Sequence, residues 1–237
     1  MSKKAVILVK YATRGRVARF FDGMDSIYNN CADVENIRVL ITADTDDLEM
    51  NCDEVKEKIS TYINAEVIYG TSTGKINAIN RDFDKLPEDF KDWQIIANFS
   101  DDQRFNIYNW DELIRNDFNQ VSPDYTHFMA YLDVDTKGVL STLYIAGRKF
   151  FDLFGWVYDP VFLSLWCDNL VEDVAKHLNL FHYTGYTIYQ HLLPSYGHLE
   201  QDEMHKKQQE IGWSVDTGTY QAIIKKGIPE YLKQFGL

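Results

Sequence analysis

Hydrophobic positions in the N-terminal half switch repeatedly between two periods. Ala5-Val6-Ile7-Leu8-Val9 is an unbroken apolar run, which marks a strand covered on both faces. Val17, Phe20, Phe21, Met24, Ile27 and Tyr28 follow at helical spacing along one stripe. Ile37 to Thr42 reads as a second buried strand, closed by the polar turn Ala43-Asp44-Thr45-Asp46-Asp47. Val55, Ile59, Tyr62 and Ile63 predict a second helix, and Glu66 to Tyr69 a third strand. The loop Gly70-Thr71-Ser72-Thr73-Gly74 leads into a short helix around Ile76–Phe83. Trp93 to Phe99 is a fourth strand, stopped by Ser100-Asp101-Asp102.

Strand–helix repetition of this kind implies parallel strands with right-handed crossovers, hence an α/β fold with helices on both faces of the sheet. Ligands of such sheets bind at the carboxyl ends of the strands. The polar clusters at 13–16, 44–47, 71–75 and 100–102 each follow a predicted strand, so all are expected at one edge. The second half changes style. Thr126–Asp133 and Ser141–Ala146 flank the turn-rich Val134–Gly138 and read as a hairpin. Phe150–Tyr158 is densely aromatic, and Asn169–Leu178 suits a helix with Leu170, Val174 and Leu178 on one face. From Leu199 two amphipathic helices are expected, separated by Gly212-Trp213-Ser214. No shift in composition splits the chain. We read one domain over 1–237, with a first half to about residue 105, a second half over 106–198 and a helical extension over 199–237.

Charge narrows the field. Against 36 Asp and Glu stand 24 Lys and Arg, a net charge of −12. Broad adhesion to phosphate backbones or anionic membranes needs clustered cations, so both are disfavoured. Cys31, Cys52 and Cys167 lie far apart and read as reduced packing thiols of a cytoplasmic protein. No apolar run is long enough to span a bilayer.

The strongest chemical signal is Asn98-Phe99-Ser100-Asp101-Asp102-Gln103. Adjacent carboxylates raise each other's pKa unless a cation neutralises them. Oxygen donors of this sort suit Mg²⁺ or Mn²⁺, which commonly hold substrate phosphates. A solvated turn is the bland alternative, since Asp and Ser also favour turns. Taken with Thr13-Arg14-Gly15-Arg16, Ala43-Asp44-Thr45-Asp46-Asp47 and Gly70-Thr71-Ser72-Thr73-Gly74-Lys75-Ile76-Asn77-Ala78-Ile79-Asn80-Arg81, the segment resembles the nucleotide-diphosphosugar glycosyltransferases of the GT-A fold, family 2-like branch. That fold is Rossmann-like, a three-layer sandwich on a mostly parallel sheet. Ser100 departs from the family's DxD pattern by replacing its first acid.

The resemblance implies the following roles. Thr13, Arg14 and Arg16 border the nucleoside and diphosphate, Asp44 accepts a hydrogen bond from base or ribose, and Lys75 sits near base or diphosphate. Asp101 serves the ribose and Asp102 the metal. The residues speak independently for one of these: positive charge at a helix start opposes the dipole, so an anion near Arg14 and Arg16 would rationalise them. In the second half, Leu165-Trp166-Cys167-Asp168-Asn169 resembles the acidic motif of inverting enzymes, with Asp168 as the base that deprotonates the acceptor and Asp173 as second choice. Helix capping by Asp168 or Asn169 is the plain alternative. His191, delivered by a strand-like Tyr186–Gln190 run, is implied as a further metal ligand, with His198 and His205 less well placed.

The expected activity is therefore metal-dependent, inverting transfer of a sugar from a nucleotide sugar, UDP-linked, to an acceptor hydroxyl. The acceptor is open among a glycan, a lipid-linked sugar, a protein or, for a phage chain acting in its host's cytoplasm, a modified nucleobase. Competing readings are a nucleotidyltransferase, which the single glycine of the first loop disfavours, and an inactive nucleotide-sugar-binding protein, which Ser100 favours.

Overall fold

One eight-stranded sheet organises the chain, in the order β3-β2-β1-β4-β7-β6-β8-β5. A computed structural model describes residues 4–135, 140–198, 200, 206, 210 and 212–237. The strands are β1 (Ile7–Ala12), β2 (Ile37–Asp44), β3 (Ala65–Gly70), β4 (Ile95–Phe99), β5 (Gln103–Phe105), β6 (Phe128–Asp133), β7 (Tyr144–Gly147) and β8 (Phe181–His191). The β3-β2-β1-β4 half is parallel throughout, and β6 pairs parallel with β8. β7 runs antiparallel to β4 and β6, and β5 antiparallel to β8.

Strand alternation sends side chains into two cores. On one face Ile7, Val9 and Tyr11 meet α1 (Val17–Asn29), α2 (Asp53–Ser60) and α4 (Trp110–Val121). On the other, Val6 and Leu8 meet α3 (Lys75–Asn80), α5 (Arg148–Asp152), α6 (Cys167–His177) and a terminal helix, Ile228–Leu232. With both faces covered, β1 is buried along nearly its whole length, as its apolar run predicts.

Several expectations shift in detail. β2 continues through Asp44, so the acidic turn begins on the strand itself. α2 stops at Ser60: Tyr62 leaves the helix to pack on Phe21 and Tyr28, and Ile63 is exposed. The predicted hairpin strands, β6 and β7, are antiparallel neighbours joined at the single register pair Phe128↔Ala146. Thr136–Val139, between them, lies outside the described residues, as do Leu199, His205 and most of the first predicted tail helix. Gly212-Trp213-Ser214 is no break. It belongs to a π-helical turn, Gly212–Asp216, that runs into α7 (Thr217–Lys226), with the closing helix numbered α8. Buried Asp216 explains the wide turn, since its carboxylate accepts the N–H groups of Leu163, Ser164 and Leu165 at 2.7–2.9 Å.

α4 is anchored by an internal ion pair. Asp111, wholly buried, accepts from Ala32 N–H at 2.8 Å, Asp33 N–H at 3.1 Å and Arg115 Nη1 at 2.6 Å. Arg115 also donates to the carbonyls of Ala5 and Asn36. Removing one partner strands a buried charge, so Asp111→Ala is expected to cost ~3–5 kcal/mol in urea denaturation. Glu112→Ala, which breaks only the exposed pair with Lys4, is expected to cost ~0–1 kcal/mol. Equal losses for the two would contradict this account of α4.

Candidate active site

The parallel strands end together, and their loops interlock through charge. Thr13 N–H donates to the Thr42 carbonyl at 3.0 Å, and Thr45 N–H to that of Gly70 at 2.7 Å. Arg14 Nη1 lies 2.7 Å from Asp44 Oδ2 and 2.6 Å from Asp46 Oδ1. Gly15, at φ 63, turns its N–H onto Asp47 Oδ2 at 2.7 Å, a left-handed backbone that glycine adopts at little cost. Arg16 Nη1 pairs with buried Asp101 Oδ1 at 3.1 Å. The anions that the helix-start arginines call for are thus supplied in part by the protein. Arg14 keeps an exposed guanidinium, while burial, then Asp102, raise the pKa of Asp101 against the pull of Arg16.

Asp44 is more occupied than a free acceptor of base or ribose would be. Its Oδ1 accepts from Ser72 Oγ at 2.5 Å and Arg81 Nη2 at 3.4 Å, and its Oδ2 from Arg14. Arg81 also donates to Ser72 Oγ and the Ala43 carbonyl. A Cβ on Gly70 would stand 2.3 Å from Arg81 Nη1, so this glycine clears the guanidinium's path. Ser72 and Arg81 belong to the Gly70–Arg81 motif, but neither stands out in the sequence as a partner of Asp44. Below them, Asp82 sits at φ 77 with its carboxylate filled by Thr42 Oγ1, Arg81 Nη1 and Lys85 Nζ, each at 2.9 Å. Fully buried Lys10 closes the layer, donating to Thr42 Oγ1 and, at 2.9 Å, to the Arg81 carbonyl.

Farther along the edge, Ser100 and Asp102 meet the end of β8. Ser100 Oγ donates to Asp102 Oδ1, and His191 Nε2 stands 3.4 Å from Asp102 Oδ2. The backbone locks both: Leu192 N–H donates to the Asp102 carbonyl at 2.7 Å, and His191 N–H to buried Asp133 at 2.9 Å. The two carboxylates of the SDD triplet therefore face different partners, Asp101 toward Arg16 and Asp102 toward His191. Among the described residues no cluster of three or more His, Cys, Asp or Glu side chains is poised to hold a metal. Asp102 and His191 together offer carboxylate oxygen and imidazole nitrogen, a donor chemistry that fits Mn²⁺.

α6 begins two residues earlier than predicted, at Cys167, with Trp166 before it at φ 65. Asp168 is thus inside the first turn and not at the capping position; its Oδ1 accepts from the next residue, Asn169 N–H, at 3.0 Å. Burial raises its pKa, while Lys75 and His191 lie close enough to pull it back. Lys75 is exposed at the start of α3, within electrostatic reach of this carboxylate. Asp173 instead accepts from Tyr220 Oη of α7 at 2.6 Å. Tyr220 stacks on Trp166, 4.9 Å between ring centres, and Trp166 Nε1 donates to Thr217 at 3.0 Å. The C-terminal segment thus packs against the start of α6, a contact with no local sequence signal.

No protein-family model and no curated protein sequence matches the chain. Solved structures share its fold. The mannosyltransferase PcManGT from Pyrobaculum calidifontis, in complex with GDP-Man and Mn²⁺, aligns at TM-score 0.59 and 13% identity over 78% of this chain and 55% of its own. S. aureus TarS 1-349 in complex with UDP-GlcNAc aligns at TM-score 0.60 and 13% identity over 84% of this chain and 60% of its own. Full TarS gives 0.57 and 13%, over 78% and 36% respectively. The chain thus spans less than two thirds of each protein, and its α/β architecture is that of GT-A-type nucleotide-sugar glycosyltransferases.

Lys10 makes the ionic layer measurable. Burial lowers its pKa to about 7, with Asp82 pulling the other way; an unfolded lysine keeps its proton to roughly 10.4. Between those values the unfolded chain binds more protons, so stability rises with pH across that window. Below it, the native state holds a buried ammonium. In urea titrations the wild type is expected to gain on Lys10→Met from about pH 7 to about pH 10. Parallel curves would show that Lys10 keeps its charge in the fold.

Proposed function

We propose that this chain is a divalent-cation-dependent, inverting glycosyltransferase that moves a sugar from a nucleotide sugar to an acceptor hydroxyl. The observation that carries the reading is the pairing of Asp102 with His191, from opposite halves of the chain, at the edge where Arg14, Arg16 and Asp44 also gather. Fold likeness supports it, since one similar structure holds GDP-Man with Mn²⁺ and another UDP-GlcNAc. The donor we favour is UDP-linked.

In this reading Thr13 and Arg14 border the nucleoside, and the second lobe of the Arg14 guanidinium turns from Asp46 to the donor. Arg81 and Ser72 hold the Asp44 carboxylate beside the base or ribose, and Arg16 pairs with Asp101 at the ribose. Asp102 and His191 would hold the cation, which supplies positive charge against the charge developing on the leaving diphosphate. Lys75 adds a mobile ammonium on the same side. Asp168 takes the acceptor's proton as the hydroxyl oxygen bonds to the anomeric carbon and the bond from that carbon to the diphosphate oxygen breaks. Burial raises its pKa, which makes it a stronger base than a solvated carboxylate. Asp173, engaged by Tyr220, serves the architecture of that turn.

Calorimetry with UDP, with and without Mn²⁺, tests the donor site. Asp102→Ala is expected to abolish the cation-dependent part of UDP affinity, and unchanged binding would remove Asp102 from the site. Asp168→Asn is expected to bind UDP normally and lose roughly 10²–10⁴-fold in turnover. A fully active variant would reassign the base. For the wild type, the acid limb of kcat/KM is expected above the ordinary carboxylate range near roughly 4, because burial raises Asp168. A limb at or below that range would exclude Asp168 as the base.

A further inference from the structure

His191 has a partner on the side of the ring that faces away from Asp102. Thr142, just before β7, places Oγ1 at 3.0 Å from His191 Nδ1 and at 3.1 Å from Tyr189 Oη. Tyr189 is buried, and its Oη accepts from Thr142 N–H at 3.2 Å. Either oxygen of the Thr142–Tyr189 pair can donate; where the phenol does, it occupies one of the two lone pairs of Thr142 Oγ1.

Two states of the remaining contact are open. Thr142 can donate its hydroxyl proton to Nδ1, which leaves the ring proton on Nε2, aimed at Asp102 Oδ2 at 3.4 Å. Alternatively, Thr142 can accept a proton carried on Nδ1 with its second lone pair, which frees the Nε2 lone pair beside Asp102. A hydroxyl can donate or accept at Nδ1; a methyl can do neither. A cation takes neutral imidazole through a lone pair, so only the second state makes His191 a ligand.

We propose that Thr142, backed by Tyr189, is a positioning residue that sets the His191 tautomer, admitting a proton on Nδ1 when Nε2 is given to a cation. The proposal rests on the reading of His191 as a cation ligand. It adds a residue that no sequence motif marks. Besides the contact of Nε2 with Asp102, His191 is held through its backbone, by the bond from its N–H to Asp133 and by the β5–β8 pairing Gln103↔His191, and these backbone contacts select no tautomer.

The test titrates Mn²⁺ into protein saturated with UDP. Thr142→Val is expected to weaken Mn²⁺ about 10–100-fold, the usual effect of removing an outer partner of a ligating histidine, while Thr142→Ser stays within about threefold of wild type. Equal affinity in wild type and Thr142→Val would overturn the proposal. A His191→Ala variant that binds Mn²⁺ as the wild type does would also overturn it, yet leave the donor site standing. Failure of the wild type to bind UDP and Mn²⁺ at all would instead overturn the underlying reading. A second readout needs no variant: in ¹⁵N-histidine-labelled wild type with UDP and diamagnetic Mg²⁺, nitrogen chemical shifts are expected to place the His191 proton on Nδ1. A proton on Nε2 in that complex overturns the proposal even if Thr142→Val does not fold.

Discussion

A carboxylate taken out of water must find a cation or hydrogen-bond donors, and at the carboxyl edge of this sheet cations meet that demand and tie separate loops into one surface. Asp44 is held by Arg14 and Arg81, Asp82 by Arg81 and Lys85, and Asp101 by Arg16. Arg81 spans two of these carboxylates and reaches the Ala43 carbonyl as well. Each arginine comes from a different loop than the acid it meets, apart from the neighbouring Arg81–Asp82 pair. Position at the edge is therefore a property of the whole charge lattice. Arg14 is its most exposed arginine and Asp102 the acid that turns toward an imidazole.

The opposite wall of the cleft is built by a different rule. Asp168 stands in the first turn of α6, where burial raises its pKa against the pull of the Asn169 N–H it accepts. Asp216 fixes the approach to that turn by gathering three successive N–H groups at 163–165, and Trp166 clamps Tyr220 and Thr217 of α7. Charge organises the carboxyl edge; burial and hydrogen bonds to backbone organise the start of α6. The proposed transfer would draw on both, since a leaving diphosphate wants compensation and a base wants partial dryness.

Much of the first half is legible in the sequence because its strands are buried on both faces and its helices carry a clean stripe. β1, β2, β3, β4 and α1 fall close to the predicted segments, and the strand-end clusters at 13–16, 44–47 and 100–102 share ion pairs at one edge. α4 escaped the reading although Trp110, Ile114 and Phe118 recur every fourth residue; Asp111, Glu112 and Arg115 dilute the stripe, and the buried Asp111–Arg115 pair shows that those charges were core. β8 is longer than its apolar Tyr186–Gln190 run because polar residues and Gly185, at φ 78, occupy a strand whose pairing with β6 shifts register. The start of α6 was misplaced because Trp166 takes a left-handed backbone that no propensity predicts. Contacts such as Arg81 with Asp44 or Thr142 with His191 join distant segments, and only the folded chain brings them into view.

Diffraction from a crystal grown with UDP and Mn²⁺, recorded at the manganese absorption edge, tests the central claim most directly. The account predicts an anomalous peak bonded to a carboxylate oxygen of Asp102 and Nε2 of His191, with the diphosphate completing its shell and the uridine lying along Thr13, Arg14 and Asp44. A manganese peak away from both residues, or a nucleotide bound elsewhere on the sheet, would contradict it.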